Sequence, residues 1–134
     1  MPSIDAIEGI GTRNATKLRK ARIRTTESLL KRGATRRGRK EVATATGISE
    51  KLILGWVNRA DLMRVKGIGQ EYSDLLEAAG VDTVKELRNR NSKNLLQAMV
   101  DVNARKRLVR RLPTLGMVER WVQHAKELDP AVSH

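Results

Sequence analysis

The 134-residue chain contains no cysteine, which excludes disulfide frameworks, cysteine-ligated zinc or iron–sulfur sites, and cysteine nucleophiles. It has no phenylalanine, and its aromatic content of 2% amounts to Trp56, Trp121 and Tyr72. Modules that hold single strands by stacking bases need several exposed aromatic faces, which this chain does not supply. Long hydrophobic runs are missing too, so nothing is expected to span a membrane. The opening stretch, Met1-Pro2-Ser3-Ile4-Asp5, has neither a basic n-region nor an apolar h-region, and no export signal is expected. The expected location is cytoplasmic, associated with the nucleoid if the protein binds DNA. Acidic charge is also scarce: 15 Asp+Glu against 27 Lys+Arg leave a net charge of +12.

What remains is a basic chain that still carries a core. Hydrophobic residues make up 40%, enough for one or two small domains rather than a disordered basic tail. A positive surplus of this size costs self-repulsion, and a polyanion relieves it. With so few aromatics, contacts to a nucleic acid would fall on the phosphate backbone. The alternative use of such charge is solubility alone.

The chain repeats itself. Ile7-Glu8-Gly9-Ile10-Gly11 returns as Val65-Lys66-Gly67-Ile68-Gly69, 58 residues later. The match runs on without a gap through Leu18/Leu76, Ala21/Ala79, Ile23/Val81, Thr25/Thr83 and Leu29/Leu87. Trp56-Val57-x-x-Ala60 reappears as Trp121-Val122-x-x-Ala125 at an offset of 65. Two related units follow, residues 1–61 and 62–134, with no Pro-, Gly- or Ser-rich linker between them, so they are expected to pack as one body. Inside a unit the pattern is helical. Tyr72, Leu75, Leu76 and Ala79 share one face, Gly80 ends that helix, and Thr83-Val84-Lys85-Glu86 is a capping box. Arg22 stands where Gly80 does, so its turn must differ or hold a strained residue. Gly47 and Ser49 read as a stop and an N-cap. Leu52, Ile53, Trp56, Val57 and Ala60 form an apolar stripe, matched by Val118, Trp121, Val122, Ala125 and Leu128. No stretch alternates long enough for a strand. The expectation is an all-α protein with about five short helices per unit and a frayed tail over Asp129–His134.

In Ile4-x-x-Ile7-x-Gly9-Ile10-Gly11-x-x-x-Ala15-x-x-Leu18 two glycines permit a tight reversal, and Ile10 plugs it into the core. The amides of Gly11, Thr12 and Arg13, the positive end of a helix and a nearby cation then suit one phosphate and read no base. The element resembles a helix-hairpin-helix motif. Two such elements per pentahelical unit resemble the tandem, SAM-like helix-hairpin-helix domains of DNA repair, recombination and replication proteins, with Gly47-Ile48-Ser49 as a degenerate second hairpin. Through Gly33-Ala34-Thr35…Gly38-Arg39-Lys40, Thr46-Gly47-Ile48-Ser49 and Trp56-Val57-Asn58-Arg59-Ala60-Asp61-Leu62, the chain is most similar to the small bacterial family catalogued as domain of unknown function 4332. That family implies no activity; the wider motif implies sequence-independent contact with DNA backbones, or packing alone.

The two copies differ in charge. The first hairpin is followed by Thr12, Arg13, Lys17, Arg19 and Lys20, the second by Gln70, Glu71, Asp74 and Glu77, whose carboxylates repel a phosphate. The expected contacts are therefore Gly9, Ile10, Gly11, Thr12, Arg13 and Lys17. Arg36, Arg37, Arg39 and Lys40 join them from a loop entering a helix, where cations oppose the helix dipole and gain from a bound anion. Lys66, Gly67, Ile68, Gly69 and Gln70 form a weaker second element, structural or directed at a protein partner. Arg105-Lys106-Arg107-x-x-Arg110-Arg111 is a further basic group. A rival reading takes Val42-Ala43-x-x-x-Gly47-Ile48-x-x-x-x-Ile53-x-x-Trp56 as a helix-turn-helix, although Glu50, Lys51, Leu54 and Gly55 offer poor reading positions.

Catalysis finds little support. His124 and His134 belong to no metal-binding spacing, with His124 expected at the surface or boundary. Asp5 and Glu8 lack the second acidic pair of a two-metal nuclease. No nucleophile motif or P-loop is present, and both tryptophans are expected in the core. The sequence thus points to a non-enzymatic protein without cofactor or metal, contacting duplex DNA through its backbone. A helical protein-interaction module is the alternative.

Overall fold

A computed structural model describes residues 2–134. The described chain is helical: a short 3-10 turn, Ile4–Ala6, precedes α1 (Gly11–Lys20), α2 (Thr26–Gly33), α3 (Arg36–Thr46) and α4 (Glu50–Leu62). Then come α5 (Gln70–Ala78), α6 (Val84–Leu87), α7 (Ser92–Lys106) and α8 (Leu115–Glu127). Among the described residues there is no strand, only an isolated bridge between Ser3 and Thr25. The chain divides into two compact units. One runs through Asp61 and includes Ala131–His134; the other is Leu62–Pro130.

The repeat is visible in the hydrogen bonds. Ile7 N–H donates to the Ile4 carbonyl and Ile10 N–H to that of Ile7; Val65 to Leu62 and Ile68 to Val65 reproduce them. The end of α1 is closed by Ile23 N–H on the Leu18 carbonyl, the end of α5 by Val81 N–H on Leu76. Both closures need a left-handed residue. Gly80 supplies it at a φ of 97° and Arg22 at 67°, so the non-glycine turn is present in the first unit and is held by its surroundings. Thr25 and Thr83 cap the helices that follow. Beyond this point the copies diverge: α6 is a single turn, and α7 is longer than α3.

In the first unit Ile4, Ile7, Ile10, Leu18, Ile23, Leu29 and Ile53 are fully or almost fully buried, and α3 packs on α2 and α1. In the second, Leu75, Leu76, Leu87, Leu95, Met99 and Val118 form one cluster around Trp121, whose ring lies 5.1 Å from that of Tyr72. Both tryptophans are buried. The stripe on α8 is internal, but Leu52 on α4 is 50% exposed and does not belong to the core.

Three expectations need correction. Thr83 accepts from Glu86 N–H, yet the Glu86 carboxyl turns to Asp82 instead of closing the box. The reciprocal box occurs in the first unit, between Thr25 and Ser28. Residues 131–134 are not frayed. Val132 is buried, Ser133 N–H donates to the Ala34 carbonyl at 2.8 Å, and His134 Nε2 lies 3.3 Å from Asn58 Oδ1. Lastly, Arg36–Lys40 is not a loop: α3 begins at Arg36, capped by Thr35. Gly38 lies within α3, where a Cβ would fall 2.2 Å from the Arg32 carbonyl oxygen, so this glycine serves close approach of α3 to α2.

Candidate nucleic-acid interface

Every helix start exposes N–H groups that need acceptors. Ser3, Thr25, Thr35, Thr83, Asn91 and Thr114 each accept such a bond through the side chain, and Ser49 accepts from Leu52 N–H at the start of α4. Among the described residues only α1 and α5 start without a side-chain cap, at Ile10 and Gly69. These are the two helices that follow the Gly-Ile-Gly turns. Ile10 cannot cap because its hydrocarbon side chain has no acceptor, and it is buried in the core, as the apolar pattern requires.

The two turns are not equivalent. Gly9 and Gly11 both have positive φ, 91° and 72°, torsions that side chains with a Cβ avoid. In the second turn Gly67 has a φ of 93°, whereas Gly69 sits at −105°, so only one glycine there is required by the backbone. Gly9, Gly11, Thr12 and Arg13 are exposed and Lys17, one turn on, is half-buried. No acidic residue lies in the first turn of α1, while Glu71 occupies that of α5. The carboxylate of Glu71 is favoured by the α5 dipole and would compete with an external anion. Ile68 is buried, Lys66 exposed and Gln70 half-buried.

Three other cations of the first unit are engaged internally. Arg19 pairs with Asp5, and Arg32 Nη1 donates to the Ala21 carbonyl at the end of α1. Arg39, expected among the phosphate contacts, is 4% exposed. Its guanidinium donates to the carbonyls of Gly33 at 2.9 Å and Ala34 at 3.3 Å, and to that of Ser133 at 2.8 Å. Burial, and then the charge of Arg36, push it below its ordinary pKa. Arg39 is a structural clamp for the α2–α3 turn and the C-terminal residues, and it leaves the candidate interface. Arg36, Arg37 and Lys40 remain exposed, with Glu41 at 3.4 Å from Arg37 and Glu50 beside them in a shallow depression.

The structure places these two cation groups apart. Arg32 joins the start of α3 to the last turn of α1, through Gly38 on one side and Ala21 on the other. The Gly9–Gly11 turn stands at the opposite end of α1, about 15 Å away along ten residues. The first unit thus presents two positive patches, one at each end of α1.

In the second unit Arg105 and Lys106 lie in the last turn of α7 and Arg107 takes a left-handed φ of 51° after it. Cations there complement the dipole, which gives this group a structural use. His124 is half-buried, and its Nδ1 accepts from Lys66 N–H at 3.0 Å, a tie between α8 and the second turn that spacing alone did not reveal. The N-cap pattern was open to reading: no Ser, Thr, Asp or Asn precedes Gly11 or Gly69. Among the described residues no group of three or more metal-ligating side chains is assembled, and no helix is long and apolar enough to cross a membrane.

No solved structure matches the chain. A family model, domain of unknown function (DUF4332), matches residues 8–128, and the chain belongs to that family.

Proposed function

We propose that this member of a family of unknown function is a non-enzymatic DNA-binding protein that holds the phosphate backbone of duplex DNA without strong sequence preference. The observation that carries the reading is the start of α1. Its uncapped amides, left-handed glycines and Arg13 coincide at one exposed helix end, with Lys17 one turn beyond Arg13 in the last turn of the helix. On this reading the Gly9–Gly11 turn works as a helix-hairpin-helix element: one phosphate oxygen accepts from the amides of Gly11, Thr12 and Arg13, and Arg13 and Lys17 neutralise the charge. Arg36, Arg37 and Lys40 take further phosphates about one helix length away. The α5 start is likewise without a side-chain cap, but its backbone differs and Glu71 stands in place of a cation, so it contributes less.

Charge reversal separates the two copies. Arg13→Glu with Lys17→Glu should weaken duplex binding by about tenfold to a hundredfold, since two phosphate contacts become repulsions. Glu71→Lys with Asp74→Lys should leave binding unchanged or strengthen it slightly. Fluorescence anisotropy on a random-sequence duplex reads both, with circular dichroism checking helicity. Unchanged affinity in the first pair would remove the α1 end from the interface. A duplex preference of about a thousandfold for one sequence would instead favour α3–Gly47–α4 as a helix-turn-helix reader.

A further inference from the structure

The second unit contains a concavity against its Gly-Ile-Gly turn. Between the Lys66–Gly67 turn and one face of α8 lies a groove of about 480 Å³, lined by Lys66, Gly67, Met117, Arg120, Trp121 and His124. The α8 positions follow the i, i+3, i+4, i+7 spacing of a single helix face. This size is that of a small-ligand site, within the usual range of roughly 300–1,000 Å³.

Its lining has one electrostatic sense. Lys66 and Arg120 are exposed, and among the described residues neither side chain forms an ion pair. No carboxylate lines the groove. His124 is oriented by the backbone: because Nδ1 accepts from Lys66 N–H, the neutral ring keeps its proton on Nε2 and is a donor there. Trp121 brings its indole Nε1 to the wall beside Gly67, where a Cβ would come within 3.0 Å of it. A glycine at 67 thus keeps the indole edge clear. Donors and cations converge on apolar surface from Met117 and Trp121, with no anionic competitor.

We propose that this groove binds a phosphate monoester, the dianionic group between Lys66 and Arg120 and the organic part against Met117 and the edge of Trp121. Two full cations balance the two charges of a terminal phosphate, where a carboxylate would neutralise only one, and the two neutral N–H donors serve its remaining oxygens. The ligand is either a free small phosphoester or the phosphorylated end of a strand. The inference stands independently of backbone binding by the first unit.

The test is an NMR titration of the full chain, following the amides of Lys66 and Gly67 and the indole signals of Trp121 and Trp56. The probes are inorganic phosphate, a nucleoside 5′-monophosphate, and short oligonucleotides with and without a 5′-phosphate. Saturable shifts at Lys66, Gly67 and Trp121 but not Trp56 are expected with inorganic phosphate, and tighter ones with the monophosphate. Arg120→Gln and Lys66→Gln should each weaken binding by at least about fivefold with an unchanged melting temperature. A response only to 5′-phosphorylated oligonucleotide among the nucleic probes assigns the strand end; a response to the mononucleotide with neither oligonucleotide assigns the free ester. Equal shifts from both oligonucleotides would make the ligand a diester backbone and overturn the proposal. Shifts that do not saturate, or that survive both substitutions, would overturn it as well.

Discussion

Arg39 and its neighbours show how one helical turn sorts identical charges into different jobs. Arg36 and Lys40 project into solvent, whereas Arg39 shares a face with Val42 and is carried inward with it. Its cost of burial is offset by three carbonyl acceptors from Gly33, Ala34 and Ser133. Replacing it by Met keeps much of the volume but leaves those carbonyls short of donors. Arg39→Met should therefore destabilise the protein by about 2–4 kcal/mol, as for a buried charged hydrogen-bonding group. Arg36→Gln should change stability by less than about 0.5 kcal/mol. Urea denaturation measures both, and equal effects would show that Arg39 is not a clamp. The face that buries Arg39 is legible once α3 is known to start at Arg36; taken as a loop, the same residues look uniformly solvated.

At the scale of elements, helix ends carry most of what distinguishes the two copies. The α6 start places Glu86 against Asp82. The hydrogen bond between the two carboxyls comes first, then burial and the Asp82 charge, and together they raise the Glu86 pKa above its ordinary value. A raised carboxyl binds its proton more tightly folded than unfolded, so its contribution is present below the unfolded pKa and lost as pH rises through the folded one. Once Glu86 has ionised, its charge and that of Asp82 repel. Glu86→Gln should consequently raise the melting temperature at pH 7, with the gain vanishing in acid where the wild-type carboxyl is protonated. A gain that persisted unchanged at low pH would exclude proton sharing with Asp82 as its cause.

For the whole molecule the net charge of +12 matters less than where unengaged cations lie. Arg39 is internal and Arg19 and Arg32 are bonded within the first unit, so the cations proposed for phosphate are Arg13, Lys17, Arg36, Lys40 and Arg37, the last exchanging its exposed partner Glu41 for the phosphate. If each releases a counterion, log K for duplex DNA should fall against log salt with a slope of about −4 to −5. Random and native sequences should bind within a few-fold of each other. Isothermal titration across a salt series checks this, and a flat response would sink backbone binding altogether.

The helical class, the duplication and the two glycine turns were all present in residue order, because each rests on local physics: 3.6-residue periodicity, threonine caps, and backbone torsions that favour glycine. The left-handed Arg22 could be anticipated from Gly80 for the same reason. Which cations point outward required the fold. Arg39 is buried by carbonyls near in sequence and by Ser133, distant in sequence; Arg19 is matched by Asp5, and His124 by the amide of Lys66 across 58 residues. Such pairings depend on chain segments brought together by packing, and a charge in a sequence carries no record of which acceptor the folded chain will set beside it.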